Sequence, residues 1–281
     1  MTAVWDTRPQ TEVVRTVPYT GDGTGVATPD AIETVRSALR EEGIVIVRGF
    51  PAEAASLVAF SKQLGKPEPG VLDDGSLKPD EPMYWINDIT HQKKGGGELT
   101  MHTAGSHAAA EPRIHLLLMV EKSDLPVTEG ETDNGQSQFA RVDDAVARMS
   151  DMFGSEAAEA ALSVLLRTPI STEFPEDAPR VDPFLTRATD GTWSFRYWRR
   201  IKQHAANADL TTEQIEALHM FDQALNAEKF EFALEKGDLV VLDNHRTAHG
   251  RREFPAYAQD ADGNQLVSKR RIFNMHIAAE I

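Results

Sequence analysis

The sequence predicts a mainly β protein with flanking α-helices, the arrangement of a double-stranded β-helix or jelly roll. Three observations predict it. Strand-like runs outnumber helical ones in the second half of the chain. No alternation of strand and helix marks a parallel Rossmann sheet. Gly237-Asp238 supplies a tight turn between two apolar runs, as an antiparallel sheet requires.

The elements follow in order. Thr28-Pro29 opens a helix, with Thr28 as N-cap and Pro29 at the first helical position. Ile32, Val35 and Leu39 recur at helical spacing, and Gly43 closes the segment. Ile44-Val45-Ile46-Val47 is a β-branched run and reads as a buried strand. Leu57 to Leu64 suggests a short helix ended by Gly65. The stretch from Pro67 to Gly97 is rich in Gly, Pro, Asp and Lys and reads as loops around a strand at Met83 to Ile86. His115 to Val120 reads as a strand, Ser155 to Leu166 as a helix, and 168–193 as loop. Thr211-Thr212-Glu213-Gln214 has the capping-box pattern and starts a helix to about Ala227. Phe230 to Leu234, Asp238 to Leu242 and Arg271 to Ile277 read as strands.

Composition narrows the function. Of 281 residues, 41% are hydrophobic, which supports a packed core in one domain spanning 1–281. A formal net charge of −15 argues against binding a nucleic acid polymer, which needs a basic face. The chain has no cysteine, so disulfides, iron–sulfur clusters and thiol nucleophiles are excluded. No apolar run is long enough to span a bilayer, and Met1 to Asp6 has no signal-peptide character. The expectation is a cytoplasmic protein with a small-molecule substrate and no membrane partner.

The chemistry sits in two histidine settings. His102-Thr103-Ala104 lies upstream, and Gly237-Asp238-Leu239-Val240-Val241-Leu242-Asp243-Asn244 with His249-Gly250-Arg251 lies downstream. Imidazoles suit iron, and oxygen-activating iron is commonly held by two histidines and a carboxylate on one face. The chain resembles the taurine dioxygenase and clavaminate synthase group of Fe(II)/2-oxoglutarate-dependent oxygenases. The resemblance rests on Gly43 to Phe50, Met101-His102-Thr103, Gly130-Glu131-Thr132, Gly237 through Phe254, and Arg270-Arg271-Ile272, in the family's order.

That resemblance implies His102 and His249 as iron ligands. It implies Arg271 as the guanidinium that forks onto the distal carboxylate of 2-oxoglutarate, with Arg270 as its rival, and Thr132 as a hydroxyl donor to the same cosubstrate. Asp243 and Asn244 would brace the turn before His249. Most of the group has Asp or Glu where this chain has Ala104. The resemblance implies a halogenase-type exception, in which the lost carboxylate frees space and one negative charge for chloride. Gly105 adds room. Iron, O2 and 2-oxoglutarate then abstract a substrate hydrogen, and the carbon radical takes chlorine. The expected function is chlorination of an unactivated carbon in a free small metabolite, an amino acid or a nucleotide.

Other readings stay open. The same fold could be a hydroxylase, with water or a side chain in the vacated position, or a metal-free binding protein. Ala104 could mark an inactivating substitution or a lost activity. His107 could supply a third histidine, Glu111 is too far along the chain to do so easily, and His115, in an apolar run, reads as a satisfied core histidine. Arg196-Tyr197-Trp198-Arg199-Arg200 reads either as a solvated strand end or as a clamp for an anionic substrate, and it tilts the substrate toward a nucleotide. Lys93 to Gly97 reads as a loop, either a lid or simply solvated.

Overall fold

The computed structural model describes residues 14–69, 81, 85–90, 97–105, 112–127, 135–171, 181–197, 207, 209–260 and 262–279. In chain order its elements are β1 (Thr16–Pro18), α1 (Pro29–Glu42), β2 (Ile44–Arg48), α2 (Ala54–Leu64), β3 (Lys66–Glu68), β4 (Ile86–Thr90), β5 (Leu99–His102), β6 (Ile114–Glu121) and β7 (Ser137–Arg141). Then come α3 (Val142–Phe153), α4 (Ser155–Leu165), β8 (Pro169–Ser171), β9 (Val181–Pro183), β10 (Leu185–Arg187), β11 (Trp193–Phe195) and α5 (Thr212–Ala227). The chain continues with β12 (Phe230–Phe232), β13 (Leu239–Asp243), β14 (Thr247–Arg251), β15 (Tyr257–Gln259), β16 (Gln265–Val267) and β17 (Arg271–Ala278).

Two sheets make the core. The larger has the order β1-β2-β13-β6-β17-β3, with β4 also paired to β17. The smaller has the order β12-β7-β14-β5. The pair β1–β2 is parallel, and the other pairs in both sheets are antiparallel. Alternation along β2 explains its unbroken β-branched sequence. Ile44 and Ile46 pack between the sheets with Leu117, Phe139, Phe230 and Val240, while Val45 and Val47 pack outward against α1 and α2. The smaller sheet does the same: Ala140 and Ala248 face α3 and α5 in a separate cluster.

The helix signals work as read. Thr28 Oγ1 accepts from Ala31 N, and Gly43 closes α1 at φ 73°, left-handed, with its N–H donating to the Leu39 carbonyl. Thr211 and Gln214 exchange both capping-box bonds at the start of α5. The turn after β13 then anchors helices to the sheet. The Arg246 guanidinium donates to the carbonyls of Leu39 and Arg40, at the C-terminal end of α1, and to the Asp143 carboxylate on α3. A cation on those last-turn carbonyls also opposes the helix dipole.

Three regions differ from expectation. The strand expected at Met83 to Ile86 begins where that reading ends, at Ile86, and runs to Thr90 because it pairs with β17; Met83 lies outside the described residues. The supposed loop 168–193 contains short strands that pair with one another, β8 with β9 and β10 with β11. The helix α3 has Val142, Ala145 and Met149 buried at helical spacing. No described helix is long and apolar enough to cross a membrane.

Candidate metal centre

His102 ends β5, and His249 lies in the middle of β14. The two strands pair antiparallel with His249 directly opposite His102, which closes a separation of 249 − 102 = 147 residues. Directly opposed residues project to the same face, and the ring centroids are 4.4 Å apart. That face is the inner one. Met101 and Ala248, which alternate with the histidines, point into the core beneath the helices.

Hydrogen bonding fixes the tautomer of the first ring. His102 Nδ1 donates to the Thr100 carbonyl at 2.8 Å, which places the proton on Nδ1. His249 is buried and its Nδ1 has no partner. Burial, then the neighbouring His102 and His276, holds the His249 pKa well below the usual histidine range, so the ring is neutral and can ligate.

Ala104 is buried and clamped through its backbone. Its N–H donates to Asn244 Oδ1 at 2.7 Å, and its carbonyl accepts from Asn244 Nδ2 at 2.9 Å. The same Nδ2 donates to the Pro112 carbonyl, just ahead of β6. Asn244 therefore does more than brace its own turn: it ties the segment after His102 to both sheets. Gly105 has φ 63°, so the left-handed turn after β5 accounts for its identity without reference to room at a metal. Among the described residues no three of His, Cys, Asp and Glu are grouped to hold a metal. His107, Glu111 and Thr132 lie outside the described residues.

His115 is not a satisfied core histidine. It is 1% exposed, and neither ring nitrogen has a hydrogen-bond partner. Its ring lies 4.6 Å from that of His249 and 4.8 Å from that of His276. Each unsatisfied buried polar atom costs about 1–3 kcal/mol. Burial, then His249, His276 and His102, lowers its pKa well below the usual range.

The two candidate arginines are adjacent: Arg271 opens β17 and Arg270 immediately precedes it, and they meet different partners. Arg271 forks onto the Asp88 carboxylate of β4 with bonds of 2.9 and 2.8 Å and lies over Phe273, which belongs to the outer cluster. Arg271, the first choice for the cosubstrate, is thus already engaged by a carboxylate. Arg270 is buried, donates to the Gly135 carbonyl and lies over Phe254. Arg251, two residues beyond His249, lies over the same ring at 4.6 Å. Its Nη1 is buried without a partner, and burial pulls its pKa down to about 10. The sequence reading missed Arg251 as a candidate; its place two residues after His249, on the same strand face, was the available signal.

The basic cluster begins beside this centre. Thr103 and Tyr197 exchange bonds, Thr103 N–H to the Tyr197 carbonyl at 2.8 Å and Tyr197 N–H to Thr103 Oγ1 at 3.2 Å. Arg196 is buried in an ion pair with Asp182 at 2.7 Å, so its charge is already met. Trp198, Arg199, Arg200 and Lys93 to Gly96 lie outside the described residues.

The profile of the taurine catabolism dioxygenase TauD, TfdA family matches residues 6–268. No curated protein sequence matches the chain. Among solved structures, the non-heme iron oxygenase OrfP in complex with Fe is 14% identical, over 95% of this chain and 94% of that one, with a TM-score of 0.62. A taurine dioxygenase from Burkholderia xenovorans is 16% identical, over 95% and 89%, with a TM-score of 0.60. PvcB from Pseudomonas aeruginosa is 18% identical, over 88% and 80%, with a TM-score of 0.57. At these identities the likeness to solved structures is one of fold.

Proposed function

The chain belongs to the taurine catabolism dioxygenase TauD, TfdA family, and on that premise we propose that it uses ferrous iron and 2-oxoglutarate to oxidise a C–H bond of a small metabolite. The observation that carries this reading is the registered pair His102 and His249 on the inner face, one ring with its tautomer fixed by Thr100 and the other neutral by burial. Two neutral imidazoles on rigid strands fit ferrous iron. Bound iron and cosubstrate supply the oxidising power.

The rest is the work of the chain. Arg270, in place of Arg271, receives the distal carboxylate, with Arg251 beside it across Phe254. A carboxylate there would satisfy the orphaned Arg251 Nη1, and charge-assisted bonds of this kind contribute about 1.5–3 kcal/mol each. Thr132 is proposed to add its hydroxyl. Asn244 holds the Ala104 backbone through both its N–H and its carbonyl, two residues after His102.

Oxygen insertion is the outcome we favour. It accords with the dioxygenase family and with structures of OrfP described with hydroxylated arginines. Chlorination is the second reading, and Ala104 favours it, because a halide can enter where a carboxylate would sit. The nucleotide expectation loses Arg196 to Asp182; an amino acid or another small polar metabolite fits as well.

Anaerobic titration with iron and 2-oxoglutarate tests the proposal. An iron-to-cosubstrate charge-transfer band is expected, and its absence would return the chain to a metal-free binder. Turnover of candidate metabolites with and without chloride, read by product mass, then decides the transferred group. Product gaining one oxygen regardless of chloride supports hydroxylation; chlorine in the product overturns it. Ala104→Asp should abolish any chlorination.

A further inference from the structure

A histidine that binds a metal through one nitrogen nearly always donates its other N–H to an acceptor, which fixes the ring and raises its basicity. His102 has such an acceptor, the Thr100 carbonyl. His249 has none: its Nδ1 is buried and unpartnered. Directly against it, from the facing sheet, sits His115, 1% exposed and with both of its own nitrogens unpartnered. The two rings are 4.6 Å apart at an interplanar angle of 64°. Three orphaned polar atoms on two touching rings are one problem with one solution.

We infer that His115 is the positioning residue for His249, accepting the His249 Nδ1–H on a ring nitrogen and so aiming His249 Nε2 at the metal. The inference rests on the reading of His249 as a ligand. The Cβ–Cγ torsion is broad for histidine, so the rings are free to turn their nitrogens toward one another at this centroid distance. No proton changes owner: His249 keeps its Nδ1 hydrogen and His115 offers a lone pair. The second nitrogen of His115 then carries the hydrogen and faces His276, its registered partner on β17, whose ring lies at 4.8 Å. His115, His249 and His276 thus form a contiguous row of imidazoles that ties the smaller sheet to the centre of the larger one. The acceptor for one ligand is a backbone carbonyl two residues away; for the other it is a side chain from across the core.

Affinity of the apo-protein for Zn(II) and Co(II), measured by competition with a chromophoric chelator, tests this. His249→Ala should abolish tight binding. His115→Phe, which keeps the ring volume and removes the acceptor, should weaken binding about 10–100-fold. His115→Gln, which can still accept, should restore most of the loss. Unchanged affinity in His115→Phe, while His249→Ala loses the metal, sinks this inference and leaves the metal reading standing. Metal binding indifferent to His249→Ala sinks both. Nitrogen-15 NMR of the Zn(II)-loaded wild-type chain needs no variant to fold. A coupling across the hydrogen bond between His249 Nδ1 and a His115 nitrogen is expected, and its absence overturns the proposal.

Discussion

The outer and inner faces of the larger sheet are built from alternate residues of the same strands, yet they are finished differently. On the outer face of β17, Phe273, Met275 and Ile277 pack with Leu57, Phe60 and Leu64 of α2, and Arg271 is neutralised by Asp88. The inner face is apolar only in part. Ile272 joins the inter-sheet cluster, but Asn274 Oδ1 is buried without a partner, and His276 sits against the doubly orphaned His115. Orphaned polar atoms are costly, so the inner face carries a penalty that the outer face does not, and the proposed ligand would offset it. The lesson is sharpest at the adjacent arginines: equal in charge and neighbours in sequence, they meet different partners, Arg271 the Asp88 carboxylate and Arg270 the Gly135 carbonyl.

The comparison can be broken most severely at the inner face. His102→Ala or His249→Ala should eliminate turnover and the charge-transfer band; a variant that kept both would remove the basis for a ligand on that face. Next, Arg270→Ala should raise the KM for 2-oxoglutarate by roughly 30-fold or more, the equivalent of at least about 2 kcal/mol for a buried charge pair. Arg271→Ala should leave that KM unchanged and cost only about 0–1 kcal/mol of stability, because its partner is partly exposed. The reverse result would exchange the roles of the two faces.

A smaller effect belongs to Asp243, at the end of β13. Burial raises its pKa from 3.8 to about 6, against the pull of Arg113. The folded protein therefore takes up this proton first as pH falls. The stability it confers is full below about 3.8 and is lost as pH rises through about 6. Denaturant unfolding should show wild type gaining on Asp243→Asn by up to roughly 1–3 kcal/mol between pH 7 and pH 4; a pH-independent difference would contradict it. Smallest, and on the surface, Thr211→Ala should cost about 1 kcal/mol in the same assay by removing the α5 cap.

Local rules made the helix ends and buried strands legible. Thr28, Pro29 and Gly43 bracket α1, Thr211 and Gln214 cap α5, and Ile44 to Val47 form a strand buried on both faces. The helix α3 is legible in the same way, from the spacing of Val142, Ala145 and Met149. The short strands β8 to β11 were not legible, because three-residue pairings carry too little alternation to stand out from loop. Within the candidate centre, the histidine motifs pointed to His102 and His249, but nothing local could say that Asn244 clamps Ala104 from 140 residues away.

What the sequence determined by itself was which residue types stand in which motifs, and so the family, the two histidines and the missing acid at Ala104. Only the tertiary structure decided which face each of them occupies. Strand register placed His249 opposite His102, set Arg271 on β17 beside Asp88 of β4, and left His115 facing His249 with nothing to bond. Register is a property of paired strands, and a shift of one residue exchanges every inward side chain for an outward one.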